Sequence, residues 1–135
     1  MQAVILAAGR GLRLRPLTET TPKALVDVCG TPLIERTIAS LPEEVTEVFV
    51  VVGHLKQQIV DALGESIDGR DIRYVTQETL DGTGSALHLL REKLHGKFLV
   101  VNGDDLYDAS DLERMIAHTL AILVLSTEDA VAASA

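Results

Sequence analysis

Apolar and polar residues alternate along the chain in blocks that predict strands and helices in turn. Continuous apolar runs at 2–7, 46–52, 72–76, 97–102 and 120–125 are typical of strands buried on both faces of a sheet. Apolar residues at helical spacing predict helices over about 32–41, 54–64, 83–95 and 111–118, with Thr31, Thr83 and Ser110 as N-caps. This alternation predicts an α/β fold with a doubly wound, mostly parallel sheet.

The segments between these elements are rich in glycine and polar residues. Residues 8–23 and 77–82 are predicted as loops, residues 24–28 as a short extended segment, and residues 126–135 as a disordered tail after a single domain over 1–125. Ligands of doubly wound sheets bind beyond the carboxyl ends of the strands. In this chain those ends carry Gly9, Gly53, Gln77 and Gly103.

Composition and charge narrow the class of protein. Of the 135 residues, 47% are hydrophobic and 3% are aromatic, so aliphatic side chains must form the core. The chain shows no apolar run long enough to span a membrane and no signal-peptide pattern. Its one cysteine, Cys29, is predicted to be a small packed side chain, and a single cysteine fits a reducing compartment. We therefore expect a cytoplasmic protein that does not bind a membrane.

The charges are unevenly distributed. The net charge is −8, which argues against nonspecific binding to nucleic acid, yet residues 1–23 carry four cations and one acid. A basic loop in an acidic protein suits a small anion. A solvated basic loop explains the same charges and stays open as an alternative.

Two segments near the N-terminus suit phosphate. Gly9, Arg10, Gly11 and Arg13 follow the first strand, where glycine lets backbone N–H groups approach phosphate oxygens and an arginine can bind them in bidentate fashion. The segment is neither a Rossmann fingerprint nor a Walker loop. Lys23, held after a proline, can direct a compact charge at a phosphate. An ordinary turn and a surface lysine are the structural alternatives.

Two further strand ends carry candidate chemistry. The carboxylates of the segment Asn102-Gly103-Asp104-Asp105 are hard oxygen ligands suited to Mg²⁺. Gln77 offers both a donor and an acceptor to the edge of a base, and Gly82 and Thr83 follow it closely. An Asx-type turn and a helix cap would explain these residues equally well.

Taken together, these residues resemble a known signature. The segment AVILAAGRGLRLRPLTETTPKALVDVCGTPLIE at 3–35 is similar to the N-terminal signature of the sugar-1-phosphate nucleotidyltransferases, and the similarity continues to about residue 125. The resemblance implies a Rossmann-like fold and Mg²⁺-dependent joining of a nucleoside triphosphate to a sugar 1-phosphate, with release of pyrophosphate. One departure is Leu12, which stands where the family usually has threonine or serine.

The resemblance also implies residue roles. Ala8, Gly9, Arg10 and Gly11 would wrap the triphosphate, while Arg13 and Lys23 would be the catalytic cations. Gln77, Gly82 and Thr83 would contact the nucleoside, and Asp104 would hold the metal.

The length of the chain leaves several interpretations open. Catalytic domains of the family continue past this point, so we expect a C-terminally truncated domain. A nucleotide-binding module without catalysis, a folding fragment of a larger transferase and a cytidylyltransferase for phosphocholine or alditol phosphates are the alternatives. An unpaired strand at 120–125 would favour association into a homo-oligomer.

Overall fold

The computed structural model describes residues 1–79 and 81–124, and in this part of the chain strands and helices alternate. The strands are β1 (Gln2–Ala7), β2 (Asp27–Val28), β3 (Thr31–Pro32), β4 (Glu47–Val52), β5 (Ser66–Ile67), β6 (Arg70–Thr76) and β7 (Phe98–Asn102). The helices are α1 (Leu33–Ala39), α2 (Lys56–Leu63), α3 (Thr83–His88) and α4 (Ala109–Ile116).

The main sheet has five strands in the order β5-β6-β4-β1-β7. Strands β6, β4, β1 and β7 are parallel, and only the short β5 runs antiparallel to its neighbour β6. The α/β fold with a doubly wound, mostly parallel sheet is therefore confirmed. None of the helices within residues 1–79 and 81–124 is long and apolar enough to cross a membrane.

Helices cover both faces of the sheet, and successive side chains of a strand point alternately into two apolar clusters. Along β1, Ala3 and Ile5 face the larger cluster, which also contains side chains from α1, α2 and α4. Val4 faces the smaller cluster on the opposite side, beneath Ala86 of α3. Helices on both faces explain why the central strands β1 and β4 are almost continuously apolar.

Several boundaries differ from the predictions. Thr31 is not a helix cap, because it pairs with Val28 in the β2–β3 hairpin and α1 begins at Leu33. Gly82, not Thr83, occupies the N-cap of α3, which ends at His88 rather than at residue 95. The N-cap of α4 is Asp108, whose carboxylate accepts from the Ser110 N–H at 2.9 Å.

Cys29 is exposed rather than packed, because it sits in the two-residue turn of the β2–β3 hairpin. Its φ of +52° and the +83° of Gly30 are the left-handed values that a tight hairpin turn requires at both central positions. The hairpin therefore places the thiol in solvent.

The strand predicted at 120–125 does not form over residues 120–124, and Leu125 lies outside the described residues, as does the tail predicted at 126–135. Leu120 and Ile122 are 91% and 84% exposed. The fifth strand of the sheet is instead β5, which the sequence analysis did not predict.

Candidate functional site

A pocket of about 310 Å³ opens at the carboxyl edge of the sheet. Strand β1 lies between β4 on one side and β7 on the other, so the chain changes direction across the sheet at β1. This is the topological switch point, where ligands of such sheets bind. The lining residues are Leu6, Ala7, Ala8, Gly9, Lys23, Ala24, Val51, Gln77, Gly82, Thr83, Ala86, Asn102, Gly103 and Asp104.

The pocket combines an apolar interior with a few polar groups. Leu6, Val51 and Ala86 supply aliphatic surface, while Lys23, Gln77 and Asp104 supply a cation, an amide and a carboxylate. Small-molecule sites typically measure about 300–1,000 Å³ and pair an apolar lining with a few convergent polar groups. The pocket is thus at the lower end of that range and suits a ligand with a flat, uncharged part and a charged part.

Seven of the ten residues selected from the sequence line this pocket, namely Ala8, Gly9, Lys23, Gln77, Gly82, Thr83 and Asp104. The other three, Arg10, Gly11 and Arg13, do not line it. Arg10 lines a neighbouring cavity of about 190 Å³ with His54, Lys56 and Glu78, and Gln77 forms a wall of both cavities. Arg13 lies with an exposed side chain on a short 3₁₀ turn, Leu12–Leu14, which Gly11 precedes.

The glycine-rich loop folds back on its own continuation. The hydroxyl of Thr18, which is 2% exposed, donates to the carbonyl oxygen of Gly11 at 2.6 Å. Gly11 has a φ of +62°, and a Cβ there would lie 2.9 Å from Thr18 Cγ2 and 3.1 Å from Lys23 Cβ. Glycine is therefore required at this position by both backbone conformation and space, and its close packing fixes where Lys23 leaves the loop.

An ion pair joins this loop to the end of β7. The ammonium of Lys23 donates to the carboxylate Oδ2 of Asp104, a residue 81 positions away in the sequence, and both side chains are 29% exposed. Each group therefore remains accessible from the pocket. The pair holds opposite charges side by side where a ligand would reach them.

The end of β7 lies unusually close to β1. The N–H of Gly103 donates to the Leu6 carbonyl oxygen at 2.9 Å, and a Cβ on Gly103 would lie 3.0 Å from Ile5 Cγ2. Asp104 follows directly after this contact. Tyr107 lies in the same loop, and burial is the main cause that raises the pKa of its hydroxyl above the ordinary value.

Gln77 is held rigidly in the pocket wall and is only 7% exposed. Its Nε2 donates to the Gly82 carbonyl oxygen at 3.2 Å and to Asp81 Oδ1 at 3.3 Å. The pKa of Asp81 is lowered, first by a hydrogen bond from Ser85, so its carboxylate stays charged at neutral pH and continues to accept. No described residue donates to the Gln77 Oε1, which leaves that oxygen as the acceptor.

Oxygen ligands for a metal are few in the pocket. No group of three or more carboxylate, histidine or cysteine side chains comes together in the described parts of the chain. Asp104 is the one carboxylate that lines the pocket. One carboxylate fits a Mg²⁺ ion that takes its remaining ligands from phosphate and water, since this ion usually binds through one or two carboxylates.

The sequence analysis did not select some residues that shape the site. Thr18 secures the glycine-rich loop, and its position among three threonines gave no distinguishing signal. Val51 and Ala86 form apolar lining, but their pattern indicates only core. Asn102 lies in the segment considered for Mg²⁺ but was not itself selected; its place directly before Gly103 was the available signal.

These features define an α/β protein whose pocket at the switch point places an ammonium, an amide and a carboxylate beside an apolar wall. The chain belongs to the nucleotidyl transferase family, whose model matches residues 2–122.

Individual relatives agree with this assignment. The N-acetylmuramate alpha-1-phosphate uridylyltransferase of Neisseria meningitidis serogroup B is 48% identical over 115 residues, covering 80% of this chain and 48% of that protein. The bifunctional protein GlmU of Methanococcus maripaludis strain S2 is 38% identical over 110 residues, covering 82% of this chain and 26% of that protein.

A solved structure shows the same fold. A Bacillus anthracis protein named as a glucose-1-phosphate thymidylyltransferase, crystallised with a sucrose, superposes with a TM-score of 0.77 at 27% identity, covering 87% of this chain and 50% of that one. The chain thus spans between about a quarter and a half of the length of these relatives.

Proposed function

We propose that the pocket binds a nucleoside triphosphate and that its nucleotidyl group is transferred to a sugar 1-phosphate, with release of pyrophosphate. The observation that carries this proposal is the joint placement of Ala8 and Gly9 from the glycine-rich loop, the Lys23–Asp104 pair and Gln77 around one pocket. A cation can bind the phosphates of such a substrate, a carboxylate can bind its metal ion and an apolar wall can pack against its base.

The reaction forms one bond and breaks one. A phosphate oxygen of the sugar 1-phosphate attacks the α-phosphorus, and the bond from that phosphorus to the bridging oxygen breaks, so that pyrophosphate leaves with the electron pair. Ala8, Gly9, Arg10 and Gly11 would wrap the triphosphate, Arg13 would stabilise the leaving pyrophosphate and Lys23 would neutralise the reacting phosphates. Positioning and charge neutralisation contribute most of the catalysis in such transfers.

Asp104 would hold Mg²⁺ that arrives with the nucleotide. When bound, the ion neutralises charge on the phosphates. In the free chain Lys23 neutralises the same carboxylate. We therefore expect Lys23 to leave Asp104 and turn to the phosphates when the substrate binds.

The orientation of Gln77 supports uracil or thymine as the base. Its Nε2 donates to Gly82 and Asp81, so Oε1 is left to accept a hydrogen bond from a ligand. The imide N–H of uracil or thymine can donate this hydrogen bond, whereas the corresponding ring nitrogen of cytosine is itself an acceptor. Relatives named as uridylyltransferases favour uridine as the first candidate.

We expect this chain to bind UTP at least about tenfold more tightly than CTP, because facing acceptors leave a buried polar group unsatisfied at a cost of about 1–3 kcal/mol. Calorimetric titration of both nucleotides with Mg²⁺ measures the ratio. In Gln77→Ala the preference should disappear. Tighter binding of CTP than of UTP would support the cytidylyltransferase alternative, and equal affinities in the unaltered chain would contradict the role given to Gln77.

Pyrophosphate release tests the proposed activity. The chain is incubated with Mg²⁺, UTP or dTTP, and N-acetylmuramic acid 1-phosphate or glucose 1-phosphate, with Asp104→Asn as the inactive control. Release that depends on both substrates supports the transferase. Binding of UTP without release supports a nucleotide-binding module or a fragment of a larger transferase, and absence of binding would overturn the proposal.

A further inference from the structure

The loop that follows β7 carries two adjacent aspartates with different contacts. Asp104 pairs with Lys23 and lines the pocket. Asp105 does not line it; its Oδ2 instead accepts from Asn102 Nδ2 at 2.8 Å and lies 3.4 Å from the Tyr107 hydroxyl oxygen. Neighbouring carboxylates thus have separate partners, one facing the pocket and the other within the loop.

Hydrogen bonds among Asn102, Asp105 and Tyr107 form a closed ring in the loop that carries Asp104. The backbone N–H of Asn102 donates to the Tyr107 hydroxyl oxygen at 2.9 Å, and the Tyr107 hydroxyl donates to Asp105. The side chain of Asn102 completes the ring by donating to the same carboxylate. Gly103 and Asp104 lie in the arc that this ring encloses, so the ring limits the conformations available to them.

A third contact connects the loop to the helical layer. Thr37 of α1 is fully buried, and its hydroxyl lies 3.1 Å from the backbone carbonyl oxygen of Asp105 and 3.2 Å from that of Leu33, so its one proton is shared between the two acceptors. The ring of Tyr107 packs against the larger apolar cluster. The loop is therefore supported from the core on one side, while Gly103 is bonded to β1 on the other.

We propose that Asp105, Tyr107 and Thr37 are positioning residues, which hold the Asp104 carboxylate where a nucleotide-bound divalent cation meets it. This inference rests on the proposed function. None of the three lines the pocket, so they act only through Asp104. Hydrogen bonds that orient a metal-binding side chain commonly change metal affinity by about 10–100-fold when they are removed. We expect the lower end of that range here, because the hydrogen bonds of these residues end on Asn102 and Asp105, on either side of Asp104, and not on the Asp104 carboxylate itself.

The central variant is Tyr107→Phe, which removes one hydroxyl and leaves both charge and ring packing in place. The dissociation constant for UTP is measured with Mn²⁺ and again with a chelator. The constant in chelator divided by the constant in Mn²⁺ gives the metal contribution to binding. In Tyr107→Phe this ratio should fall about tenfold, with affinity in chelator unchanged. Thr37→Val should change the ratio in the same direction.

Tyr74→Phe is the matched control. The Tyr74 hydroxyl donates to the Gly64 carbonyl oxygen at 2.5 Å, and Tyr74 does not line the pocket. Removal of the Tyr74 hydroxyl should leave the ratio of dissociation constants unchanged. If Tyr107→Phe and Thr37→Val both fail to fold, the exposed Asp105→Asn decides the question, with Asp108→Asn as a control of equal charge change.

The outcomes separate the two proposals. If Mn²⁺ does not tighten UTP binding in the unaltered chain, both are overturned. If Mn²⁺ tightens binding, Asp104→Asn abolishes the gain and the folded Tyr107→Phe and Thr37→Val variants keep the full ratio, the positioning role is wrong while the proposed function stands. A reduced ratio in these variants, with Tyr74→Phe unchanged, is the result that the inference requires.

Discussion

Replacing Lys23 by methionine should slow nucleotidyl transfer by about 100- to 1,000-fold, the range seen when one group that stabilises transition-state charge is removed. Methionine keeps most of the length and apolar character of the side chain but removes the ammonium that faces the pocket. Stability should change by less than about 1 kcal/mol, because the Lys23–Asp104 pair is partly exposed and water solvates the remaining carboxylate. Steady-state pyrophosphate release and chemical denaturation measure the two effects.

Lys56→Met is the control for loss of a positive charge near the site. Lys56 lines the neighbouring cavity with Arg10, and its ammonium lies 3.4 Å from Thr76 Oγ1. This variant should retain the transfer rate within about threefold, because charges beyond direct contact are screened by water and salt. A Lys23→Met protein that transfers as fast as Lys56→Met would contradict the role given to Lys23.

Gly11→Ala should impair both stability and triphosphate binding. The left-handed φ of +62° disfavours any side chain by about 1–2 kcal/mol. The new methyl carbon would also lie 2.9 Å from Thr18 Cγ2 and 3.1 Å from Lys23 Cβ, so the loop must shift to admit it. We expect a loss of about 2–5 kcal/mol in the free energy of unfolding, since overpacking adds about 1–3 kcal/mol to the conformational cost. Affinity for UTP should fall at least about tenfold, because a shift of about 1 Å in positioning groups is costly.

Gly69→Ala separates the two causes. Gly69 has a φ of +77°, and nothing lies within 4 Å of the Cβ position there. This variant should show the conformational cost alone, with UTP affinity unchanged. Thermal denaturation and calorimetry on both variants provide the comparison. Equal losses of stability and equal affinities in the two variants would show that the glycine-rich loop is not held by its contacts with Thr18 and Lys23.

Strands were the most predictable part of the fold. Strands β1, β4 and β7 are almost continuously apolar because helices cover both faces of the sheet, and that pattern can be read directly from the sequence. Strand β6 carries Arg70, Asp71 and Arg73, and only its second half shows the apolar pattern. Strand β5 could not be predicted, since two residues, Ser66 and Ile67, carry no periodicity. The run at 120–125 has the same composition as a strand, but composition does not reveal whether a neighbouring strand pairs with it.

Helix ends were harder to predict because several residues compete for each cap. Asp108 and Ser110 are both good caps, and only the backbone places Asp108 at the start of α4. Thr31 lost its predicted role because the Cys29-Gly30 turn forms a hairpin that includes it. Such tertiary pairing is not contained in local residue preferences.

The candidate site was foreseen as a set of strand ends, and its internal geometry was not. Placing Gln77 and Asp104 at one pocket follows from a parallel sheet, because all its carboxyl ends share one edge, whereas Lys23 reaches the pocket from a loop. The ion pair between Lys23 and Asp104 and the ring formed by Asp105 and Tyr107 depend on loop conformation. Loop conformation is set by long-range contacts that a sequence pattern does not contain.

Titration of UTP and Mg²⁺ into the isotopically labelled chain, followed by amide-resolved NMR, tests most directly whether this pocket is the nucleotide site. We expect saturable shifts concentrated at Gly9, Gln77, Gly82 and Asp104, with the signals of Gly30 and Gly69 unmoved. In Asp104→Asn the Mg²⁺-dependent part of the shifts should disappear. Shifts centred elsewhere, or no saturation at millimolar nucleotide, would contradict the assignment of the pocket.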